Sequence, residues 1–321
     1  MSKMQGLEFP SCCVLMSTYN GEKYLREQID SIIAQKGVDW QLLIRDDGST
    51  DKTKEIVNEY SSCYDNIKWY HGKNIGPGLS FIDLVKTAPL SEYYAFSDQD
   101  DVWYHLKLVH AISILESERK LHGNRPLLYF GNSNETDEHL CNKKSRLKHL
   151  RLVQLDFLGT LFHNYADGHT MVFNSELVDR IRSSNCYNDI VVHRHHDTYF
   201  KLCADIVGQS IFDRESLLDF RRHSLSVTED EVRSQVVITK RVKRMISKFF
   251  NSQKLTSNSA KVLLDNFDND LEGKMKEKLK RIAFYRTSIG RKFCLLMDKE
   301  IREYNESSDI VYYIKVFFNK L

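Results

Sequence analysis

The chain of 321 residues is 41% hydrophobic and 28% charged, which excludes a disordered polymer and allows one large folded domain with an appendage. Its net charge of +2 is unevenly spread: from Glu231 onward 20 Lys and Arg face 11 Asp and Glu, a surplus of +9, so the first 230 residues sum to −7. Seven cysteines without a C-x-x-C pair argue against a zinc knuckle and read as reduced core thiols, and with no signal-peptide core in Met1–Pro10 and no run of about 18 apolar residues the expected location is the cytoplasm.

Strand and helix signals alternate over the first hundred residues. Cys12 to Ser17 is a short apolar run ending in a polar residue, the pattern of a buried strand. Leu25, Ile29, Ile32 and Ile33 recur at helical spacing and predict an amphipathic helix over Glu22 to Gln35. Gln41 to Arg45 reads as a second strand, and Ser49 or Thr50 is placed to cap a helix with the apolar face Ile56, Val57 and Tyr60. Ile67 to Tyr70 is a third strand, Pro77 to Thr87 a helix, Tyr93 to Ser97 a fourth strand, and His105 to Glu118 a helix. Such alternation predicts a parallel sheet covered by helices. Beyond Arg125, Leu127 to Phe130, His169 to Phe173 and Leu217 to Phe220 read as strands, with helices at Ser175 to Arg182 and Thr198 to Ile206. From Val232 the chain is mostly helical, polar and basic, so the expected domains are residues 1–228 and 229–321.

In open α/β sheets ligands bind beyond the carboxyl ends of the strands. The residues there are Ser17-Thr18-Tyr19-Asn20, Asp46-Asp47-Gly48-Ser49, Lys73-Asn74-Ile75-Gly76 and Asp98-Gln99-Asp100-Asp101. Five carboxylates at two strand ends repel one another unless a divalent cation or sugar hydroxyls relieve them, although any one of them could simply cap a turn. Carboxylates two residues apart on an extended segment point to one side, so Asp98 and Asp100 are expected to work together. Hard oxygen ligands suit Mg²⁺ or Mn²⁺, which bridge to a diphosphate and neutralise it as it leaves.

The runs Val14-Leu15-Met16-Ser17-Thr18-Tyr19-Asn20, Ile44-Arg45-Asp46-Asp47-Gly48-Ser49-Thr50-Asp51 and Phe96-Ser97-Asp98-Gln99-Asp100-Asp101-Val102-Trp103 resemble family 2 glycosyltransferases with the GT-A fold. The likeness continues more loosely at Gly168 to Asn174, at His196-Asp197 and at Phe220-Arg221-Arg222-His223, and so covers Cys12 to Val227. Within the family the chain is similar to bacterial rhamnosyltransferase-like enzymes of surface-polysaccharide assembly. The resemblance implies a GT-A catalytic domain with a helical C-terminal extension, a nucleotide-sugar donor such as dTDP-rhamnose or a UDP-hexose, and a saccharide acceptor, lipid-linked in such pathways. It implies that Ser17 and Asp47 contact the nucleobase, Asp98 the ribose and Asn74 the nucleotide, with Tyr19 grouped among the substrate contacts. Asp100 is the implied metal ligand, for Mn²⁺ or Mg²⁺, and His223 adds a ligand to the metal or diphosphate. Asp197 is the implied catalytic base, with His196 beside it as a substrate contact and competing base. Two residues depart from the family pattern, Ser17 in place of proline and His169 in place of cysteine or alanine. His169 is expected to alter the acceptor pocket.

Other chemistries are weaker. His193, His195 and His196 lie too close together for a recognisable tetrahedral zinc spacing and read as a polar loop entering a helix. Trp103 either stacks on a sugar or belongs to the core. The first strand is followed by no G-x-G-x-x-G, as a Rossmann dehydrogenase would need, and no nucleic-acid reader motif accompanies the basic tail. A non-catalytic nucleotide-sugar-binding subunit would bind donor without turnover, and the intact Asp100 and Asp197 count against it.

In the tail, Val242, Met245, Ile246, Phe249 and Phe250 fall on one helical face with Arg241, Lys243, Arg244 and Lys248 on the others, the pattern of an interfacial helix on anionic lipid. Ile310 to Leu321 is apolar and too short to span. Peripheral contact with the inner face of the plasma membrane, packing on the catalytic domain, and homodimer formation are the three expectations for this region.

Overall fold

The computed structural model describes residues 9–147, 155–184, 186–223, 255–304 and 309–320. It divides into two units, Met1–Leu150 with Ala166–Arg222, and Arg151–Tyr165 with His223–Leu321. The expected domain boundary at 228/229 and the amphipathic run 242–250 lie outside the described residues.

The first unit opens with the expected alternation: β1 (Ser11–Thr18), α1 (Leu25–Ile33), β2 (Asp39–Asp46), α2 (Thr53–Cys63), β3 (Ile67–His71), α3 (Pro77–Thr87) and β4 (Tyr93–Ser97). Cys12 to Met16 are fully buried, because a parallel strand covered on both faces needs an apolar run rather than alternation. β1 lies between β2 and β4, parallel to both, and β3 extends the sheet beyond β2. α3 begins where Gly76 adopts φ 81°, followed by Pro77 in the first turn, where the missing amide proton costs nothing. The cap of α2 differs from expectation. Neither Ser49 nor Thr50 serves it; the Asp51 carboxylate accepts the Thr53 amide instead, at 3.0 Å.

The rest of the sheet is mixed rather than parallel. After β5 (Val102–Trp103) and α4 (Lys107–His122) come β6 (Leu127–Thr136), β7 (Lys144–Ser145), α5 (Phe157–Phe162), β8 (Val172–Asn174), α6 (Ser175–Ser183), α7 (Tyr187–Val207) and β9 (Gln209–Arg221). Among the described residues nine strands form one sheet, in the order β3-β2-β1-β4-β8-β6-β9-β5, with β7 on β6. β8 is antiparallel to both β4 and β6, so the sheet changes sense beside β4. Asn174 ends β8 and caps α6 through the Leu177 amide, while Leu177, Val178 and Ile181 face the interior.

The second unit holds α5 together with α8 (Leu255–Phe267), α9 (Gly273–Phe284), α10 (Ile289–Met297), α11 (Lys299–Glu303) and α12 (Asp309–Phe317), and α5 packs on α8. Residues 151–165 belong here although they fall inside the span expected for the catalytic domain. The reason is local: Asp156 caps α5 through the Gly159 amide and also accepts the Tyr304 hydroxyl.

Candidate active site

The ends of β1, β2 and β4 and the loop after β3 are tied together by buried polar contacts. Arg45, in β2, donates to Asp47 at 2.5 Å, Asp83 at 2.9 Å, Ser80 at 3.1 Å and the Lys73 carbonyl at 3.1 Å. Asp47 also accepts the Ile75 and Gly76 amides, each at 2.9 Å. This carboxylate therefore latches the loop carrying Asn74, which is itself exposed. Asp46 caps a turn, accepting the Ser49 amide at 3.1 Å. Gly48, at φ 87°, lets the turn pass close to the Asn74 amide, 3.3 Å from where a Cβ would stand. Ser17 donates to Ser80 at 2.6 Å. Tyr19 is exposed, and the Gln99 side chain grips its backbone at both ends, accepting from the amide at 2.9 Å and donating to the carbonyl at 3.1 Å.

The acidic segment bends after β4 instead of running straight. The expected partnership of Asp98 and Asp100 depended on an extended backbone; in a bend, the carboxylates that meet are Asp98 and Asp101. With His169 they place one ligand atom each within 4.8 Å of one another, and Asp100 does not join them. Asp100 is held through its backbone, where its carbonyl accepts from Arg221 Nε at 2.9 Å. His169 Nδ1 lies 3.5 Å from Asp98 Oδ2 and 3.8 Å from Asp101 Oδ2. Burial opposes charge on Asp98, but the His169 hydrogen bond and its charge outweigh it and hold this carboxyl below its usual range. Asp101 is fully buried; burial pushes its carboxyl well up, against the pull of His169 and with the repulsion of Asp100 and Asp98. Burial opposes protonation of His169, yet Asp101 and Asp98 raise it to about 9. Its ring stacks on Phe220, 4.8 Å between centroids at 15°.

Gly168, which opens the short 3₁₀ turn Gly168–Thr170, joins this cluster to Asp197. A Cβ at Gly168 would meet His196 Nε2 at 2.7 Å and Asp197 Cβ at 3.5 Å, so glycine is what allows α7 to approach the turn. The histidine-rich loop expected before Asp197 is instead mostly helical. α7 runs through it with one break, at His195, whose φ of 65° and ψ of 163° belong to a region used almost only by glycine. The break restarts the helix with Asp197 in its first turn. Burial, and then the charge of Asp167, push the Asp197 carboxyl up to about 7, which is where a general base for neutral solution belongs.

Two expected substrate contacts are core residues. Trp103 is 3% exposed, its amide donates to Ser31, and Lys107 Nζ lies over one face of its ring at 3.6 Å, so the indole packs in the core. His196 is 8% exposed and stacks on Phe81 at 4.0 Å, edge-on to Phe96 at 4.8 Å. Neither ring nitrogen has a hydrogen-bond partner among the described residues, and burial pushes the imidazole down to about 3. His223, the other expected metal ligand, belongs to the second unit, and its expected role remains a proposal. The sequence reading singled out neither Asp101 nor His169 as a partner of Asp98. His169 was visible only as a departure from the pattern.

A sheet with parallel β3-β2-β1-β4, its acidic bend after β4 and an antiparallel β8 beside it, define a GT-A type glycosyltransferase. Solved structures share this architecture. S. aureus TarS 1-349 in complex with UDP-GlcNAc matches with a TM-score of 0.56 and 17% identity, over 95% of this chain and 81% of that one. The mannosyltransferase PcManGT from Pyrobaculum calidifontis, in complex with GDP-Man and Mn²⁺, matches with a TM-score of 0.50 and 12% identity, over 98% and 89%. At such identities the likeness is one of fold. Residues 13–181 match the model of glycosyl transferase family 2, and the chain belongs to that family. It is 32% identical over 222 residues to dTDP-rhamnosyl transferase RfbG of Shigella flexneri, covering 65% of this chain and 71% of that protein.

Proposed function

We propose that this glycosyltransferase inverts the anomeric centre of a nucleotide-diphosphate sugar by single displacement onto a saccharide hydroxyl, with Asp197 as the base. The observation that carries the reading is the Asp197 carboxyl, raised to about 7, seated against the same Gly168–His169 turn that meets the Asp98–Asp101 bend. Asp197 takes the acceptor proton; the acceptor oxygen bonds to the anomeric carbon as the bond to the diphosphate breaks, and the nucleoside diphosphate departs. The donor is held beyond the ends of β1 and β2, with Ser17, Tyr19, Asp47 and Asn74 around the nucleoside. The converging oxygens of Asp98 and Asp101 fit a divalent cation, since a fully buried Asp101 Oδ2 has no hydrogen-bond partner among the described residues. A bound Mg²⁺ or Mn²⁺ would stabilise the negative charge of the leaving diphosphate.

Rhamnose from dTDP-rhamnose, in surface-polysaccharide assembly, is the donor we propose, supported by the likeness to RfbG. The test is nucleoside diphosphate release with Mn²⁺ from dTDP-rhamnose, UDP-GlcNAc and GDP-mannose in turn. Release from dTDP-rhamnose at a tenth or less of the UDP-GlcNAc rate would move the donor to the UDP-hexoses. Binding of all three without turnover would leave a nucleotide-sugar-binding subunit.

Attachment to anionic membrane through the basic C-terminal region is proposed as well. No described helix is long and apolar enough to cross a bilayer. In α10, Ile289, Phe293 and Met297 are exposed at a spacing of four, and Lys292 Nζ donates to the carbonyl of Phe317, itself exposed like Phe318, at 3.0 Å. Apolar side chains among lysines and arginines suit a lipid interface. Absence of binding to anionic vesicles at low salt would assign this face to protein contacts.

A further inference from the structure

The acidic bend holds a nitrogen as well as oxygens. We infer that His169 supplies a nitrogen ligand to the cation held by Asp98 and Asp101, and that this imidazole turns the site toward Mn²⁺ and away from Mg²⁺. The inference rests on the transferase reading above.

The three ligand atoms lie within 4.8 Å of one another, with His169 Nδ1 at 3.5 Å from Asp98 Oδ2 and 3.8 Å from Asp101 Oδ2. Around a cation with ligands at about 2.1 Å, neighbouring ligands stand about 3 Å apart and opposite ones about 4.2 Å. The observed separations fall within or close to that range, so small side-chain adjustments suffice. Two observations separate this cluster from an ordinary acidic patch. Asp101 is fully buried, and while its Oδ1 accepts the Arg221 amide at 3.2 Å, its Oδ2 has no hydrogen-bond partner among the described residues. A buried carboxylate oxygen left without a donor is costly, and a cation at this point would satisfy it. His169 is itself buried, and its ring plane is held by stacking on Phe220. A metal-bound histidine usually has its orientation set by a hydrogen bond from the second ring nitrogen; here the aromatic stack does that.

Asp98 is 39% exposed at its side chain, so the open side of the site faces solvent, where diphosphate oxygens would complete the coordination. Mg²⁺ prefers an all-oxygen octahedron and gives up water reluctantly. Imidazole favours later first-row cations, and a mixed nitrogen and carboxylate set therefore ranks Mn²⁺ above Mg²⁺.

The experiment uses the full chain with Mn²⁺, with and without thymidine diphosphate, observed by pulsed electron paramagnetic resonance for ¹⁴N coupling. Calorimetric titrations with Mn²⁺ and Mg²⁺ accompany it. The parent protein should show nitrogen coupling that disappears in His169→Gln and persists in His223→Gln. In His169→Gln, Mn²⁺ affinity should fall about tenfold or more, with Mg²⁺ affinity changed less than about threefold. Bound Mn²⁺ without nitrogen coupling in the parent overturns the inference, and this readout does not depend on any variant folding. Coupling that survives His169→Gln in a folded variant overturns it too, and in either case cation-dependent transfer stands. Failure of Mn²⁺ to bind even with thymidine diphosphate removes the inference and the cation part of the transferase reading together.

Discussion

Replacing Asp197 by asparagine keeps the side chain's shape while removing its basic oxygen. The parent carboxyl is raised to about 7, and only its ionised form can accept the acceptor proton. The ionised fraction is about 0.1 at pH 6 and about 0.9 at pH 8, so kcat/KM should rise about tenfold across that interval and level off above it. Asp197→Asn should lie about 10²- to 10⁴-fold lower and show no such rise. Stability gives an independent reading of the same group. Its folded-state pKa lies above the ordinary 3.8, so the stabilisation is complete below about pH 4 and lost as pH rises through about 7. The loss is at most about 4 kcal/mol, and less because the residue is only partly buried. The asparagine variant should lack that component of the fall between about pH 4 and pH 7. The assay is initial-rate nucleoside diphosphate release at subsaturating donor and acceptor, from pH 5.5 to 8.5, paired with denaturant unfolding. A parent profile flat through pH 7, together with near-parent turnover in Asp197→Asn, would refute the reasoning. Loss in His196→Ala alone would move the base to the imidazole, which burial has pushed to about 3 and which would give no inflection in this range.

Chelation by EDTA should abolish transfer, and Asp101→Asn should weaken Mn²⁺ binding more than Asp100→Asn does; the reverse ranking, measured by calorimetry, would restore Asp100 as the principal ligand. Arg45→Met breaks a buried ion pair, with side-chain exposures of 4% and 3%, and should cost about 3–5 kcal/mol in urea unfolding while weakening donor binding. A cost below about 1 kcal/mol would show that Asp47 does not depend on it. His195→Gly relieves a strained backbone worth about 1–3 kcal/mol against about 0.5–1 kcal/mol for the added chain freedom. It should raise the thermal midpoint, and a drop would mean that the break in α7 is not strained. Phe293→Ser, on the exposed face of α10, should weaken adsorption to anionic vesicles without changing donor turnover measured in their absence; unchanged adsorption would remove Phe293 from the lipid-binding surface.

The sequence by itself determined the first half of the sheet. Cys12 to Met16 and Tyr93 to Ser97 are strands because apolar runs of that length between turn residues can be buried on both faces only in a helix-covered sheet. The same local rules placed Pro77 at the start of α3 and brought the acidic segments to the strand ends. Tertiary structure decided what local periodicity could not reach. The bend after β4 pairs Asp98 with Asp101 in place of Asp100, because side-chain alternation holds only while the backbone is extended. His169 reaches the same cluster across about seventy residues of chain, through the antiparallel insertion of β8 between β4 and β6. Trp103 and His196 were ambiguous as sequence because an aromatic ring serves a pocket or a core equally well. Burial against Lys107 and Phe81 made both of them core, since the space available to a ring is set by neighbours distant in the chain.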